Sequence, residues 1–273
     1  MTHYHNSRFA NLNLKQIYRY CLLRLSGWGR NPVYDYQPGH NDLERKINKL
    51  LDVYPDNHNY QLRKGKIVPC FKLYQRIQAV SSSYPKNMDS FLDIACCKGY
   101  YVFDAALRFN CNTCIGVDVH EPFVSTADRV RELLDINTKK VAFYHATLEE
   151  ISDDPQKFGG PFQTLLFLGA YHYFFWGSSY NSKAFYSHRE ILSRISKLCT
   201  ERVIFSGRLE IDRLPRYLQE KAKKHNSSVT FNTSHFLTVA DEYFHVHKAG
   251  YLGKNPLLVM HKRNSHCPTY DSP

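Results

Sequence analysis

Two aspartates, Asp93 and Asp118, stand twenty-five residues apart, each in or closing a short apolar run, FLDIA and TCIGVD. Between them lies the turn Ala95-Cys96-Cys97-Lys98-Gly99, followed by the helical stretch YYVFDAALRF. A strand, a tight turn and a helix in that order leave free N–H groups and a partial positive charge at the helix start, suited to a carboxylate or phosphate. An aspartate closing the next strand can accept hydrogen bonds from both hydroxyls of a ribose. The pair therefore suits a ligand with a ribose at one end and an anionic group at the other.

Other residues could carry chemistry. His172, in the aromatic run AYHYFFWGSSY, is the best general-base candidate, because its ordinary pKa lies near neutrality. That run, Ala170 to Tyr180, could stack an aromatic acceptor or pack as a lid. His245 and His247 alternate along YFHVHKAG and share one strand face, but two ligands do not make a metal site. Cys111 and Cys114 have zinc-ligand spacing without a second pair. No metal is expected.

The elements that would position these groups change character along the chain. In residues 13–26 the apolar positions have helical spacing. A turn-rich loop follows, then a helix from a capping Asp42 through Leu51, broken near Pro55, and another helix over 70–80. From Ser90 onwards strands and helices alternate. Strands are expected over 91–96, 113–118, 141–146, 164–168 and 202–206, with helices over 101–109, 123–134, 148–151, 182–199 and 213–225. Two late strands, 243–249 and 257–261, have no helix between them and should form an antiparallel hairpin. Short buried strands separated by helices specify a doubly wound α/β sheet. The expected organisation is a mainly helical N-terminal extension, residues 1–85, and a domain over residues 86–273 with seven strands, the last antiparallel.

Composition bounds the partners. The 273 residues are 43% hydrophobic and 14% aromatic, which suits a globular domain, and carry a net charge of +11. Residues 1–90 hold 14 Lys/Arg against 6 Asp/Glu, leaving 22 against 19 for the rest, so the excess lies in the N-terminal third. A basic, aromatic segment attracts RNA, phosphorylated metabolites or a membrane surface, and also serves as a solvated face. No stretch of about 18 apolar residues is present, so no transmembrane helix is expected. Eight cysteines in a chain of this size read as reduced thiols of a cytoplasmic protein.

A dinucleotide and S-adenosylmethionine both join a ribose to an anionic group. A pyrophosphate needs glycines so the backbone can approach it, and Ala95 and Cys97 occupy two of those positions. LDIACCKGYYVF resembles the first signature of class I S-adenosylmethionine-dependent methyltransferases, L-D-[IL]-G-C-x-x-G-x-[FY]. IGVDVHEP resembles their second. LLFLGAYHYF resembles the fourth-strand segment of members related to tRNA wobble-uridine-modifying and sugar- or lipid-modifying methyltransferases. The resemblance covers roughly Phe91 to Arg263 and implies a Rossmann-like methyltransferase fold with S-adenosyl-L-methionine as cofactor. It implies that Asp93 orients the methionine amino group, with Ala95, Cys96 and Gly99 passing beneath the methionine portion. By the same resemblance Asp118 holds the ribose and Val119 the adenine face. Thr147 and Leu148 then meet the adenine edge, where many relatives have an aspartate, and Leu168 and Gly169 open towards the methyl. The implied activity is methyl transfer to a small or conjugated acceptor: a sugar, a lipid-linked intermediate or a metabolite. The alternatives are an RNA acceptor docked through the basic N-terminal third and a cofactor-binding scaffold without turnover.

Overall fold

The computed structural model describes residues 41–51, 59–225 and 230–263. The chain divides into two compact units, residues 1–75 and 76–273. The helix expected over 13–26, the loop after it and the break at Pro55 lie outside the described residues.

In the first unit, helix α1 (Asp42–Leu51) accompanies a hairpin of β1 (Tyr60–Arg63) and β2 (Lys66–Pro69). The buried amide of Asn48 joins them, its Nδ2 donating to the Leu62 carbonyl at 3.0 Å and its Oδ1 accepting the Leu62 N–H at 2.7 Å. Asn41 caps α1 in place of the expected Asp42, its Oδ1 accepting the Glu44 N–H at 2.8 Å. Asp42 sits within the first turn and pairs with Arg45. The hairpin is an addition to the helical extension expected here. Its turn, Lys64-Gly65, has both residues at positive φ, the geometry that matches strand twist in two-residue loops.

Helix α2 (Phe71–Ser81) leads into the second unit. There the order is β3 (Ser90–Ile94), α3 (Tyr100–Arg108), β4 (Thr113–Asp118), α4 (Glu121–Leu133), β5 (Val141–His145), α5 (Leu148–Asp153) and β6 (Phe162–Leu168). Next come α6 (Tyr171–Trp176), α7 (His188–Leu198), β7 (Cys199–Ser206), α8 (Arg216–Lys224), α9 (Thr233–Ala240), β8 (Phe244–Leu252) and β9 (Asn255–Lys262). The seven strands order β5-β4-β3-β6-β7-β9-β8, parallel through β7, with β9 antiparallel to both neighbours. The hairpin expected at the end of the chain is present. From β3 the chain steps outward through β4 to β5, then returns to β6 on the other side. The strand order reverses between β3 and β6, a topological switch point, and open α/β sheets have their crevice at the carboxyl ends of the strands there.

The strands are apolar because both faces are covered. Leu92, Ile94, Leu165, Phe167, Val203 and Phe205 are buried in one cluster with Tyr171, Phe175, Trp176 and Phe236. Burying each such side chain contributes about 1.5–3 kcal/mol. The helix expected over 182–199 begins at His188, because the Ser187 hydroxyl accepts the Glu190 N–H and sets the N-terminus there. Helices α6 and α9 are additions to the expected elements.

Candidate functional site: the crevice at the carboxyl ends of β3, β4 and β6

The turn after β3 is shaped by three residues in the left-handed region: Ala95 (φ 61°), Cys97 (φ 53°) and Gly99 (φ 75°). Only Gly99 adopts this without steric cost. The other two carry a Cβ there, at about 1–2 kcal/mol each. Gly99 has a second reason to be glycine: a Cβ on it would lie 2.4 Å from Phe143 Cε1. Phe143 forms the floor, also pressing on Gly116 of β4. The Cys96 N–H donates to the Val117 carbonyl at 2.9 Å, tying the turn to β4. Cys96 and Cys97 are buried, and burial raises both thiols, Cys97 to about 12. They fill space as neutral thiols.

Asp118 faces this turn. Its Oδ2 accepts the Cys97 N–H at 2.8 Å and its Oδ1 the His120 N–H at 2.9 Å. A carboxylate has about four lone-pair sites, so one on each oxygen remains. Burial raises the Asp118 pKa, and the two N–H donors oppose that rise. Asp93, on β3 between Gly116 and Leu166, is also buried. Burial lifts its pKa well above the ordinary value and Asp118 adds to the rise, while Arg76 works against both.

Arg76, on α2, is the residue that sequence reasoning missed. Its Nη2 stands 4.0 Å from where a Cβ on Gly169 would be, at the end of β6, and its buried Nε has no hydrogen-bond partner. Gly169 has φ 75° and donates its N–H to the Ser206 carbonyl at 2.7 Å, so the chain leaves Leu168 sharply. One turn on, His172 is 1% exposed and neither ring nitrogen has a hydrogen-bond partner. Burial, then the charge of Arg208, lowers its pKa to about 3. Its imidazole is neutral at physiological pH.

On the other side of β4, Val119 follows Asp118, and the His145 ring donates to its carbonyl at 3.1 Å. Thr147 caps α5: its hydroxyl accepts the Glu150 N–H, and the Glu150 carboxylate accepts the Thr147 N–H at 2.7 Å. The side chain of Leu148 is buried in the core, leaving its first-turn N–H without a helical acceptor. Segment 177–187 touches residues next to these groups. The Tyr180 ring lies 4.3 Å from His120 between centroids, and Lys183 pairs with Glu149 at 2.7 Å. Neither contact was legible in the sequence.

The structure thus gathers Asp93, Ala95, Cys96, Gly99, Asp118, Leu168 and Gly169 at the carboxyl ends of neighbouring strands, with His172 on the helix leaving β6. Val119, Thr147 and Leu148 border Asp118 where β4 and β5 end. Asp118 and Ala146 join there by a backbone bond of 3.2 Å. Cys111 and Cys114 lie at the opposite end of β4, away from the crevice.

The sequence matches no protein-family model and no curated protein. Solved structures match the fold. The bifunctional kinase-methyltransferase WbdD superposes with a TM-score of 0.54 at 14% identity, over 79% of this chain and 46% of its own. EvdMO1 superposes with a TM-score of 0.53 at 13% identity, over 81% of this chain and 47% of its own. The chain spans about half the length of these proteins. The architecture these structures share with the chain is a Rossmann-like methyltransferase sheet.

Proposed function

We propose that this chain is an S-adenosylmethionine-dependent methyltransferase acting on a small or conjugated acceptor: a sugar, a lipid-linked intermediate or a metabolite. The observation that carries the reading is the Asp118 carboxylate, fixed by two backbone N–H groups beside the turn after β3 with one lone pair free on each oxygen. Those lone pairs receive the two ribose hydroxyls. Val119 covers one face of the adenine, and the N–H of Leu148 meets its edge. The turn Ala95-Cys96-Cys97 passes beneath the methionine portion, with Asp93 accepting from the ammonium and the Arg76 guanidinium receiving the carboxylate. The unsatisfied Nε of Arg76 supports this assignment, since a buried donor atom without a partner is costly, although the same side chain also bonds Tyr101.

When bound, the sulfonium supplies an activated methyl group to an in-line displacement, in which the acceptor's lone pair forms the new bond as the carbon–sulfur bond breaks. The protein's contribution is mainly orientation, worth about 7–11 kcal/mol when reacting atoms are held about 3–3.5 Å apart. Gly169 keeps the end of β6 free of a side chain where the methyl must face the acceptor. His172 offers a neutral ring nitrogen to the acceptor's proton. With a pKa near 3, it acts first as a hydrogen-bond acceptor that orients the nucleophile, and takes the proton only as the acceptor becomes acidic during transfer.

Calorimetric titration tests the reading. Wild type should bind S-adenosylmethionine with micromolar affinity, and Asp118→Ala should lose at least about tenfold, the cost of roughly one 1.4 kcal/mol interaction. NAD should bind neither. Tight NAD binding without response to S-adenosylmethionine would overturn the assignment.

A further inference from the structure

The sheet's outer edge carries a second cluster of chemistry-bearing side chains, remote from the crevice in the fold. His245 and His247 share one face of the edge strand β8, and register places His261 of β9 directly opposite His245. Three imidazoles therefore occupy one face of one hairpin. Three histidines are a ligand set that holds zinc in known sites. The rings of His247 and His261 have centroids 5.3 Å apart. Two imidazoles that share a tetrahedral ion at a Zn–N distance of about 2.0–2.1 Å have ring centres about 5 Å apart.

We propose that His245, His247 and His261 form a binding site for a borderline divalent transition-metal ion, Zn2+ above all, which clamps the edge strand onto β9. Three imidazole nitrogen donors select Zn2+, Cu2+ or Ni2+ over the hard, oxygen-seeking Mg2+ and Ca2+. Arg202 stands opposite His261 on β7, and Glu201 accepts from its Nε at 2.9 Å, offsetting its charge. Among the described residues no three donors already converge on a point, and the planes of His247 and His261 are within 14° of parallel. The site closes by rotation of His245 and His247, both exposed at the sheet edge, about the less mobile, buried His261.

The test titrates the full chain with Zn2+ at pH 7.5 by calorimetry, with Cu2+ electron paramagnetic resonance as the second readout. Expected are one ion per chain, a rise in Tm on adding Zn2+, and nitrogen hyperfine structure from imidazoles. His245→Ala and His247→Ala should each weaken binding by at least about tenfold, because losing a direct ligand costs no less than losing its outer-shell support. Both side chains are exposed, so circular dichroism and S-adenosylmethionine titration should be unchanged in these variants, separating this site from the crevice. Zn2+ affinity unaltered in the double variant, or no Zn2+ binding by wild type, would overturn the proposal.

Discussion

Ala95 and Cys97, in the turn after β3, hold left-handed backbone that glycine would adopt freely. Replacing either by glycine removes about 1–2 kcal/mol of steric strain and adds about 0.5–1 kcal/mol of chain entropy cost. Ala95→Gly and Cys97→Gly should each stabilise the protein by about 0.5–1 kcal/mol, read as a small rise in denaturation midpoint at unchanged slope. Gly99→Ala should do the reverse, costing about 3 kcal/mol, since its Cβ would meet both the left-handed strain and the Phe143 ring 2.4 Å away. Asp118 gives a pH signature of its own. Its pKa is raised in the folded protein, chiefly by burial, so its share of stability is present at low pH and is lost as pH rises through the carboxylate range. Ligand hydroxyls need the ionised form, so the effect on binding has the opposite sign. Affinity for S-adenosylmethionine should climb with pH through that raised value and level off above it. In Asp118→Asn the same titration should be weaker and flatter.

The elements show which side chains serve the fold and which face the crevice. Thr147 stands where the family resemblance puts the adenine edge, yet its hydroxyl is engaged in the capping box of α5. Thr147→Ala should therefore cost about 1 kcal/mol of stability and leave cofactor affinity within about twofold, a split that calorimetry and thermal melts resolve. The parallel core was legible because strands buried on both faces read as unbroken apolar runs: TCIGVD and FQTLLFL need no partner to be recognised. Asp93 and Asp118 were legible for the same reason, each being a charge inside or closing such a run. The hairpin β1–β2 was not, because four-residue strands give too few positions to display a period. Helix α9, TSHFLTVA, is rich in β-branched and aromatic residues that favour strands locally. It is helical because the Asn232 side chain caps it and Phe236 and Val239 reach the core together. Arg76 was hidden by topology: nothing in FKLYQRIQAV says that its guanidinium will end beside Asp93.

At the scale of the whole molecule, charge distinguishes the two kinds of acceptor. Residues 91–273 hold 22 Lys/Arg against 19 Asp/Glu, whereas residues 1–90 hold 14 against 6. The sheet, and every crevice residue named above except Arg76, thus belong to the nearly neutral part of the chain. An RNA acceptor would need several phosphates neutralised, drawn mostly from the N-terminal third. Its apparent affinity would then fall with a slope of about −0.7 per phosphate contact for a single strand, or a loss of orders of magnitude between 50 and 200 mM salt. A small or conjugated acceptor recognised within the crevice neutralises few charges and escapes that penalty. On the proposed reading, the groups beside the acceptor are a neutral His172 and the neighbouring Tyr173 ring, neither of which neutralises a phosphate. Methyl transfer to a small acceptor should accordingly change by less than about twofold in kcat/KM over that salt range, measured with S-adenosylmethionine saturating so that cofactor binding does not enter. A kcat/KM that collapses with salt on that acceptor, alongside salt-sensitive RNA binding of the intact chain, would move the substrate to the nucleic-acid class while leaving the Asp118 site in place.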